Sequence, residues 1–148
     1  MLKETRTIVA ENGLTARYRF VEGNLLDADV LSDLVVLGNM CHGPTAEQNR
    51  DLFRQRHRAL APGGLLLIAD MIPDDERSGP PFPMLFAVNM FVMGGEDVYP
   101  LADYKAWLKE AGYRGVRTFD TTRSHSPVII AGRLRRTRER DDLRSSAA

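Results

Sequence analysis

The ten residues DLVVLGNMCH, from Asp33 to His42, decide how this chain folds. They open with an almost continuous apolar run, which is typical of a strand covered on both faces of a parallel sheet. A second run of this kind, LLLIAD, ends at Asp70. We predict strands over 34–41 and 65–70. Because parallel strands need a long crossover connection, the segment between them is expected to hold a helix.

That helix carries clear signals at both ends. Thr45 and Gln48 have the spacing of a capping box at its start. Apolar residues then recur at helical intervals, from Leu52 to Leu60. The segment Pro62-Gly63-Gly64 is expected to end the helix before the second strand begins. The sequence therefore predicts a complete β-α-β unit.

This unit would bring His42 and Asp70 to the same rim of the sheet. Ligands in open α/β sheets bind outside the carboxyl ends of the strands. An imidazole beside a carboxylate has the arrangement of a general base with an orienting partner, although a histidine at a strand end can also be purely structural. Cys41 is interpreted as a buried residue rather than a nucleophile, because neighbours on a strand point to opposite faces.

The composition excludes several classes of partner. The 148 residues include 20 basic and 20 acidic side chains, so no net charge favours binding to nucleic acid. The single cysteine forms no internal disulfide, which fits a reducing compartment. No apolar run approaches the roughly 20 residues of a membrane span, and the start does not resemble a signal peptide. We expect a cytoplasmic protein without a membrane partner, and no side-chain cluster indicates a metal site.

The remaining segments are predicted from periodicity and composition. The apolar stretch 84–93 is too short to span a membrane and too apolar for a surface helix. Residues 133–148 form a charged tail that we expect to be disordered, so the folded domain is expected to be 1–132. No Gly-rich nucleotide-binding turn is present. The other predicted elements are helices over 2–12 and 101–111 and strands over 18–22, 116–119 and 128–131.

Taken together, several stretches resemble the C-terminal part of the S-adenosylmethionine-dependent O-methyltransferases, which methylate phenols and related hydroxyls of small molecules. The resemblance covers residues 20–133 and implies a class I methyltransferase fold. This is an α/β, Rossmann-like, mostly parallel sheet with flanking helices and a C-terminal antiparallel strand, here lacking its first two strands. The stretches are VEGNLL (21–26), LGNMCH (37–42), RALAPGG (58–64), IADMIP (68–73) and YKAWLKEAGY (104–113).

The resemblance also implies roles for individual residues. His42 matches the family's general base, and Asp70 matches the acidic residue beside it. Asn24 and Leu25 fall on the pair that touches the adenine of the cofactor, although the family usually has Asp in place of Asn24. Gly38 falls on a position that lines the cofactor.

A second acidic residue near the substrate is matched by either Glu96 or Asp97. The implied cofactor is S-adenosylmethionine, and the implied substrate is a small phenolic molecule. Met84, Phe86, Met90, Phe91 and Met93 would form an adaptable apolar wall for such a flat substrate.

The family's dimerisation domain and its first two strands precede the matching region. We therefore expect either a fragment of a longer protein or a chain that needs another polypeptide, a second copy included. The alternative function is a non-catalytic remnant or interaction subunit that cannot bind the cofactor alone. A further alternative keeps the fold and changes the acceptor, with methyl transfer to nitrogen or carbon, or has abandoned methyl transfer.

Overall fold

The computed structural model of this chain describes residues 2–23, 30–94, 97–120 and 126–135. The chain divides into two units, Met1–Val30 and Leu31–Ala148. The second unit contains both His42 and Asp70, so the geometry of the candidate site is a property of that unit.

As far as residue 23, the first unit consists of a helix followed by a loop. Helix α1 spans Leu2–Glu11, and a single turn of 3-10 helix follows it. The predicted strand over 18–22 is wrong, since these residues form no regular secondary structure. Instead the rings of Tyr18 and Phe20 stack with their centroids 6.1 Å apart. An extended segment becomes a strand only when a neighbour pairs its backbone, and no described strand does so here.

The second unit is a four-stranded sheet with helices. The strand order is β1-β2-β4-β3, with β1 parallel to β2 and the other two pairs antiparallel. The α/β class and the antiparallel C-terminal strand are confirmed. The described sheet is mixed, not mostly parallel, because a helical crossover joins only β1 to β2 as a parallel pair. The elements are β1 (Ser32–Gly38), α2 (Ala46–Ala59), β2 (Leu60–Ala69), α3 (Pro81–Gly94), α4 (Leu101–Glu110), β3 (Arg114–Phe119) and β4 (Val128–Gly132).

Two of the predicted boundaries differ most from the structure. Strand β1 ends at Gly38 instead of residue 41, because Asn39 takes a left-handed conformation with φ 52° that breaks the strand. Helix α2 ends at Ala59, and 60–64 begin β2 instead of forming only a helix stop. The carbonyl of Gly64 accepts from the backbone N–H of Arg133 at 2.9 Å, so this segment is held like a strand.

The core lies on one face of the sheet. The alternation of side chains along β1 and β2 buries Leu37, Leu66 and Ile68 on that face. Phe53 of α2 and Trp107 of α4 are also buried, with their ring centroids 6.3 Å apart. Helix α2 is therefore anchored in the core, which fixes the position of the turn that precedes it.

The opposite face of the sheet is open. Leu34 and Val36 of β1 are 53% and 58% exposed, and Leu65 of β2 is 44% exposed. Helix α3 is also exposed, contrary to the expectation that so apolar a helix would be covered. Its most exposed apolar side chains are Leu85, Val88, Phe91, Val92 and Met93, which are between 62% and 78% exposed. None of the helices in the described part of the chain has the length and hydrophobicity to cross a membrane.

The start of the predicted tail is bonded to the sheet region. The guanidinium of Arg133 donates to the carbonyls of His57, Arg58 and Leu60, where α2 ends and β2 begins. Residues 136–148 lie outside the described residues. The domain boundary at 132 and the disorder of the tail remain predictions.

Candidate active site

The candidate site lies at the carboxyl ends of the parallel strands β1 and β2. His42 is in the turn between β1 and α2, and Asp70 directly follows β2. The backbone N–H of Asn39 donates to the carbonyl of Ala69 at 2.9 Å, which ties the two strand ends together. The parallel β-α-β unit thus brings together two residues that are 28 positions apart.

The imidazole of His42 is hydrogen bonded to the carboxylate of Asp70. The distance from Nδ1 to Oδ1 is 2.7 Å. Oδ1 also accepts from the N–H of Met71, and Oδ2 accepts from the N–H of Cys41, both at 2.7 Å. A carboxylate that receives two backbone N–H groups acts as an acceptor, so Nδ1 is the donor of the third bond. When the ring is neutral, that tautomer leaves the lone pair of Nε2 available, as a general base requires.

The two side chains differ in their access to solvent. The Asp70 side chain is fully buried, whereas 18% of the His42 side chain is exposed. A buried carboxylate is stabilised by its hydrogen bonds, and the partly open imidazole can meet a small molecule. The arrangement can therefore hold one ring nitrogen fixed while the other accepts a proton.

Phe86 of α3 lies against the imidazole. Its ring meets that of His42 edge-on, with the centroids 5.0 Å apart and the planes at 82°. Phe86, Met84 and Met90 are half-buried, whereas Phe91 and Met93 are exposed. Of the predicted apolar wall, Phe86 contacts the imidazole, and this contact gives the site an apolar side.

Cys41 is buried, as predicted. Burial and the nearby charge of Asp70 raise the pKa of its thiol, which therefore stays protonated. Tyr104 lies beside it, and burial raises the pKa of the Tyr104 hydroxyl as well. A thiol that does not ionise is a poor nucleophile, so the chemistry available here is that of the imidazole.

Asn49 contributes to the site and was not expected from the sequence. Its side chain on α2 is fully buried, and Nδ2 donates to the carbonyls of Cys41 at 2.9 Å and Pro44 at 3.2 Å. An asparagine inside an amphipathic helix pattern gives no local signal of such contacts. Only its place in the folded chain shows that it spans the turn that bears His42.

Several predicted site residues are not tested by this geometry. Asn24, Leu25 and Glu96 lie outside the described residues. The carboxylate of Asp97 accepts from the guanidinium of Arg77 at 2.9 Å and from the N–H of Val98 at 2.8 Å. The choice between Glu96 and Asp97 as the second acidic residue stays a prediction.

Gly38 is the one predicted cofactor residue that the structure describes. It ends β1 and is exposed, and a Cβ built on it would have no atom within 4 Å among the described residues. The position therefore leaves open space beside the end of the strand. The role of Gly38 in lining a cofactor stays a prediction.

A second histidine, His57, lies near the C-terminal end of α2. His57 packs edge-on against Tyr113, with centroids 4.9 Å apart. Burial and the charge of Arg133 lower the pKa of His57. Among the residues that the structure describes, no group of His, Cys, Asp and Glu has the arrangement of a metal site.

Comparison with known proteins gives a consistent result. The profile of the O-methyltransferase domain family matches residues 2–114. The 3-hydroxy-5-methyl-1-naphthoate 3-O-methyltransferase of Streptomyces sahachiroi is 32% identical over 127 residues, which are 84% of this chain and 36% of that protein. The tetracenomycin polyketide synthesis 8-O-methyl transferase TcmO of Streptomyces glaucescens is 32% identical over 121 residues, 80% of this chain and 35% of that protein.

A solved structure agrees with these sequence matches. The S-adenosylmethionine-dependent methyltransferase SibL, in its apo form, superimposes with a TM-score of 0.80 at 27% identity. The superposition covers 90% of this chain and 41% of SibL. This chain therefore spans little more than a third of the length of the two Streptomyces relatives and about two fifths of SibL.

Proposed function

This chain belongs to the O-methyltransferase family, and on that premise we propose that it carries the proton-accepting part of a methyl-transfer site. The reaction is transfer of a methyl group to a hydroxyl of a small aromatic molecule. The observation that carries this proposal is the 2.7 Å hydrogen bond between His42 and Asp70 at the rim of the sheet. The names of both Streptomyces relatives describe O-methylation of aromatic or polyketide compounds.

The proposed role of His42 is to take the proton of the acceptor hydroxyl. A neutral imidazole with its proton on Nδ1 accepts a further proton at Nε2. Nε2 accepts the proton as the acceptor oxygen bonds to the methyl carbon; the carbon–sulfur bond of the sulfonium donor would break, and the donor would leave as a neutral thioether. General base catalysis of this kind contributes about 10²–10⁴-fold to a rate.

The proposed role of Asp70 is to orient the ring and to stabilise the imidazolium that forms. Its carboxylate is held by the N–H groups of Cys41 and Met71, so it cannot follow the imidazole if the imidazole moves. The ring is therefore kept in one tautomer and one orientation. A fixed ring accepts the proton in the right place and also helps to align the acceptor. Alignment of the reactants can contribute about 7–11 kcal/mol.

The proposed acceptor is flat and apolar apart from its hydroxyl. Phe86 gives the imidazole an apolar side, and the half-buried Met84 and Met90 belong to the same helix. Methionine side chains are flexible and polarisable, so they fit ring systems of several shapes. A phenol or naphthol ring matches this surface better than a charged or strongly hydrated acceptor.

The proposed cofactor is S-adenosylmethionine, which supplies a methyl group activated by a positive sulfur. The name of the structural relative SibL describes dependence on this cofactor. Gly38 would line it, since the space beside this residue is open. Asn24 and Leu25 are proposed to contact its adenine, where the amide oxygen of Asn24 can accept from the amino group.

Transfer of an isotope-labelled methyl group tests the proposed function. The chain, with its natural neighbouring polypeptide if it has one, is incubated with labelled S-adenosylmethionine and a set of phenols and naphthols. We expect transfer to oxygen, and His42→Gln should lower kcat/KM about 100-fold or more. His57→Gln is the matched control, because His57 lies against Tyr113 and has no contact with the Asp70 carboxylate. Equal rates for wild type and His42→Gln would contradict the role of His42.

A non-catalytic role as an interaction subunit is the second candidate. The open face with Leu34, Val36 and Leu65 favours it, because exposed apolar surface of this kind commonly marks an interaction site. Titration calorimetry with S-adenosylhomocysteine separates the two functions. Binding to the chain supports the enzyme, whereas no heat at high micromolar ligand together with no methyl transfer supports the interaction subunit.

A further inference from the structure

We infer that Asn49 is a positioning residue for His42, an inference that rests on the proposed function of this site. The side chain of Asn49 is fully buried on α2. Its amide group donates to two carbonyl oxygens, those of Cys41 and Pro44. These two residues lie on either side of His42 in the chain, so one side chain braces the whole turn that carries the imidazole.

The Cys41 peptide unit is held from both sides. Its N–H donates to Oδ2 of Asp70 at 2.7 Å, and its carbonyl accepts from Nδ2 of Asn49 at 2.9 Å. The same Asp70 carboxylate receives Nδ1 of His42. The backbone just before His42 and the ring of His42 are therefore fixed by one connected set of hydrogen bonds, which includes Asn49 at its far end.

The Pro44 side of the turn is held in a similar way. Its carbonyl accepts from Asn49 at 3.2 Å and from the hydroxyl of Tyr99 at 3.0 Å. Pro44 is half-buried, so these two donors satisfy a carbonyl that water reaches only in part. The backbone N–H of Asn49 donates to the carbonyl of Thr45 at the start of α2. The backbone that bears this side chain is therefore part of the anchored helix.

The chemistry of the amide explains why Asn occupies this position. Two carbonyl oxygens need two donated protons from one atom, and the NH₂ group of Asn supplies them. Aspartate has the same shape but only acceptors, and a small aliphatic side chain has no donor. Both hydrogens of the NH₂ group are used, whereas Oδ1 of Asn49 has no hydrogen-bond partner among the residues that the structure describes.

Loss of Asn49 should free the turn and with it the ring. A displacement of the general base by about 1 Å can lower a rate about 100-fold. We therefore expect Asn49→Ala to lower kcat of methyl transfer by up to about 100-fold with little change in KM, since Asn49 lies behind the turn. A merely structural role would lower the amount of folded protein and leave kcat per folded molecule unchanged.

The test uses nitrogen NMR of the ring, which reports which of its nitrogens carries the proton and needs no activity. In the wild-type chain we expect His42 to hold its proton on Nδ1 alone. In Asn49→Ala and in the milder Asn49→Ser, we expect the mixed tautomers of a free histidine. Leu52→Ala is the matched control, because it removes a buried side chain from the same helix without removing a donor to the turn.

The tautomers of His42 in these variants decide whether Asn49 positions the ring. Mixed tautomers in the Asn49 variants and a single tautomer in Leu52→Ala support the inference. A single Nδ1–H tautomer in the Asn49 variants overturns it, as do mixed tautomers in the wild type. If the wild-type protein transfers no methyl group to any phenol, the proposed function fails, while the tautomer comparison still decides whether Asn49 positions the ring.

Discussion

Replacing Asp70 by Asn probes the hydrogen bonds that hold the site together. The substitution keeps the size of the side chain and removes its charge. The Asp70 side chain is fully buried and accepts three hydrogen bonds, two at Oδ1 and one at Oδ2. An amide has one acceptor oxygen in place of two. Whichever way the amide is turned, its NH₂ group faces a backbone N–H and cannot accept a hydrogen bond from it.

The size of the effect follows from those contacts. A hydrogen bond to a charged group contributes about 1.5–3 kcal/mol, and a buried donor left unpaired costs about 1–3 kcal/mol. We expect Asp70→Asn to lower the free energy of unfolding by about 3–5 kcal/mol, as for other buried pairs that lose one partner. Domains are commonly stable by about 5–15 kcal/mol, so the variant should remain folded in water but with a much smaller margin.

Urea unfolding followed by circular dichroism measures this loss. With a urea m value of about 2 kcal/mol/M, the unfolding midpoint should fall by about 2 M. The control is Asp51→Asn on the surface of α2, where the side chain is 51% exposed and paired with Arg54. That variant should change stability by no more than about 0.5 kcal/mol. A loss below about 1 kcal/mol for Asp70→Asn, or equal losses in both variants, would refute the reasoning.

Two further predictions concern stability. Burial and the charge of Arg133 lower the pKa of His57 in the folded chain below its ordinary 6.5. As the pH falls through 6.5, this histidine therefore binds a proton more readily in the unfolded chain than in the folded chain. Stability should therefore fall as the pH is lowered from about 7.5 to 5.5. Urea midpoints measured at both pH values should show a smaller fall for His57→Gln than for wild type. An unchanged pH dependence in the variant would contradict this role of His57. The capping box of α2, in which Thr45 and Gln48 exchange hydrogen bonds, predicts a loss of about 1 kcal/mol for Thr45→Ala and much less for Thr45→Ser. Equal urea midpoints for these two variants would show that the cap does not stabilise the helix.

The β-α-β unit was predictable because its signals are local. The apolar runs that end near Gly38 and Asp70 and the capping box at Thr45 depend on residues that are close together in sequence. Parallel pairing of the two strands then follows from the crossover between them. The proximity of His42 and Asp70 is a consequence of that topology, which is why it could be predicted without coordinates and is confirmed by their 2.7 Å distance.

The features that could not be predicted depend on distant parts of the chain. A strand over 18–22 fits the local alternation, but a strand forms only with a neighbour to pair its backbone, and no described strand pairs there. The end of β1 depends on the left-handed conformation of Asn39, which Asn tolerates but does not require. The role of Asn49 depends on burial of a polar side chain, and the edge-on contact of Phe86 depends on where α3 lies.

The central claim is that His42 removes the proton of the acceptor, and the ionisation state of the acceptor tests it most directly. Two acceptors with the same ring are compared, an ordinary phenol and a nitro-substituted analogue that is already ionised at neutral pH. For the phenol, we expect wild type to exceed His42→Gln in kcat by about 100-fold or more. For the ionised analogue, which has no proton to lose, the ratio should be close to one. The same ratio for both acceptors would contradict the assignment of His42 as the general base.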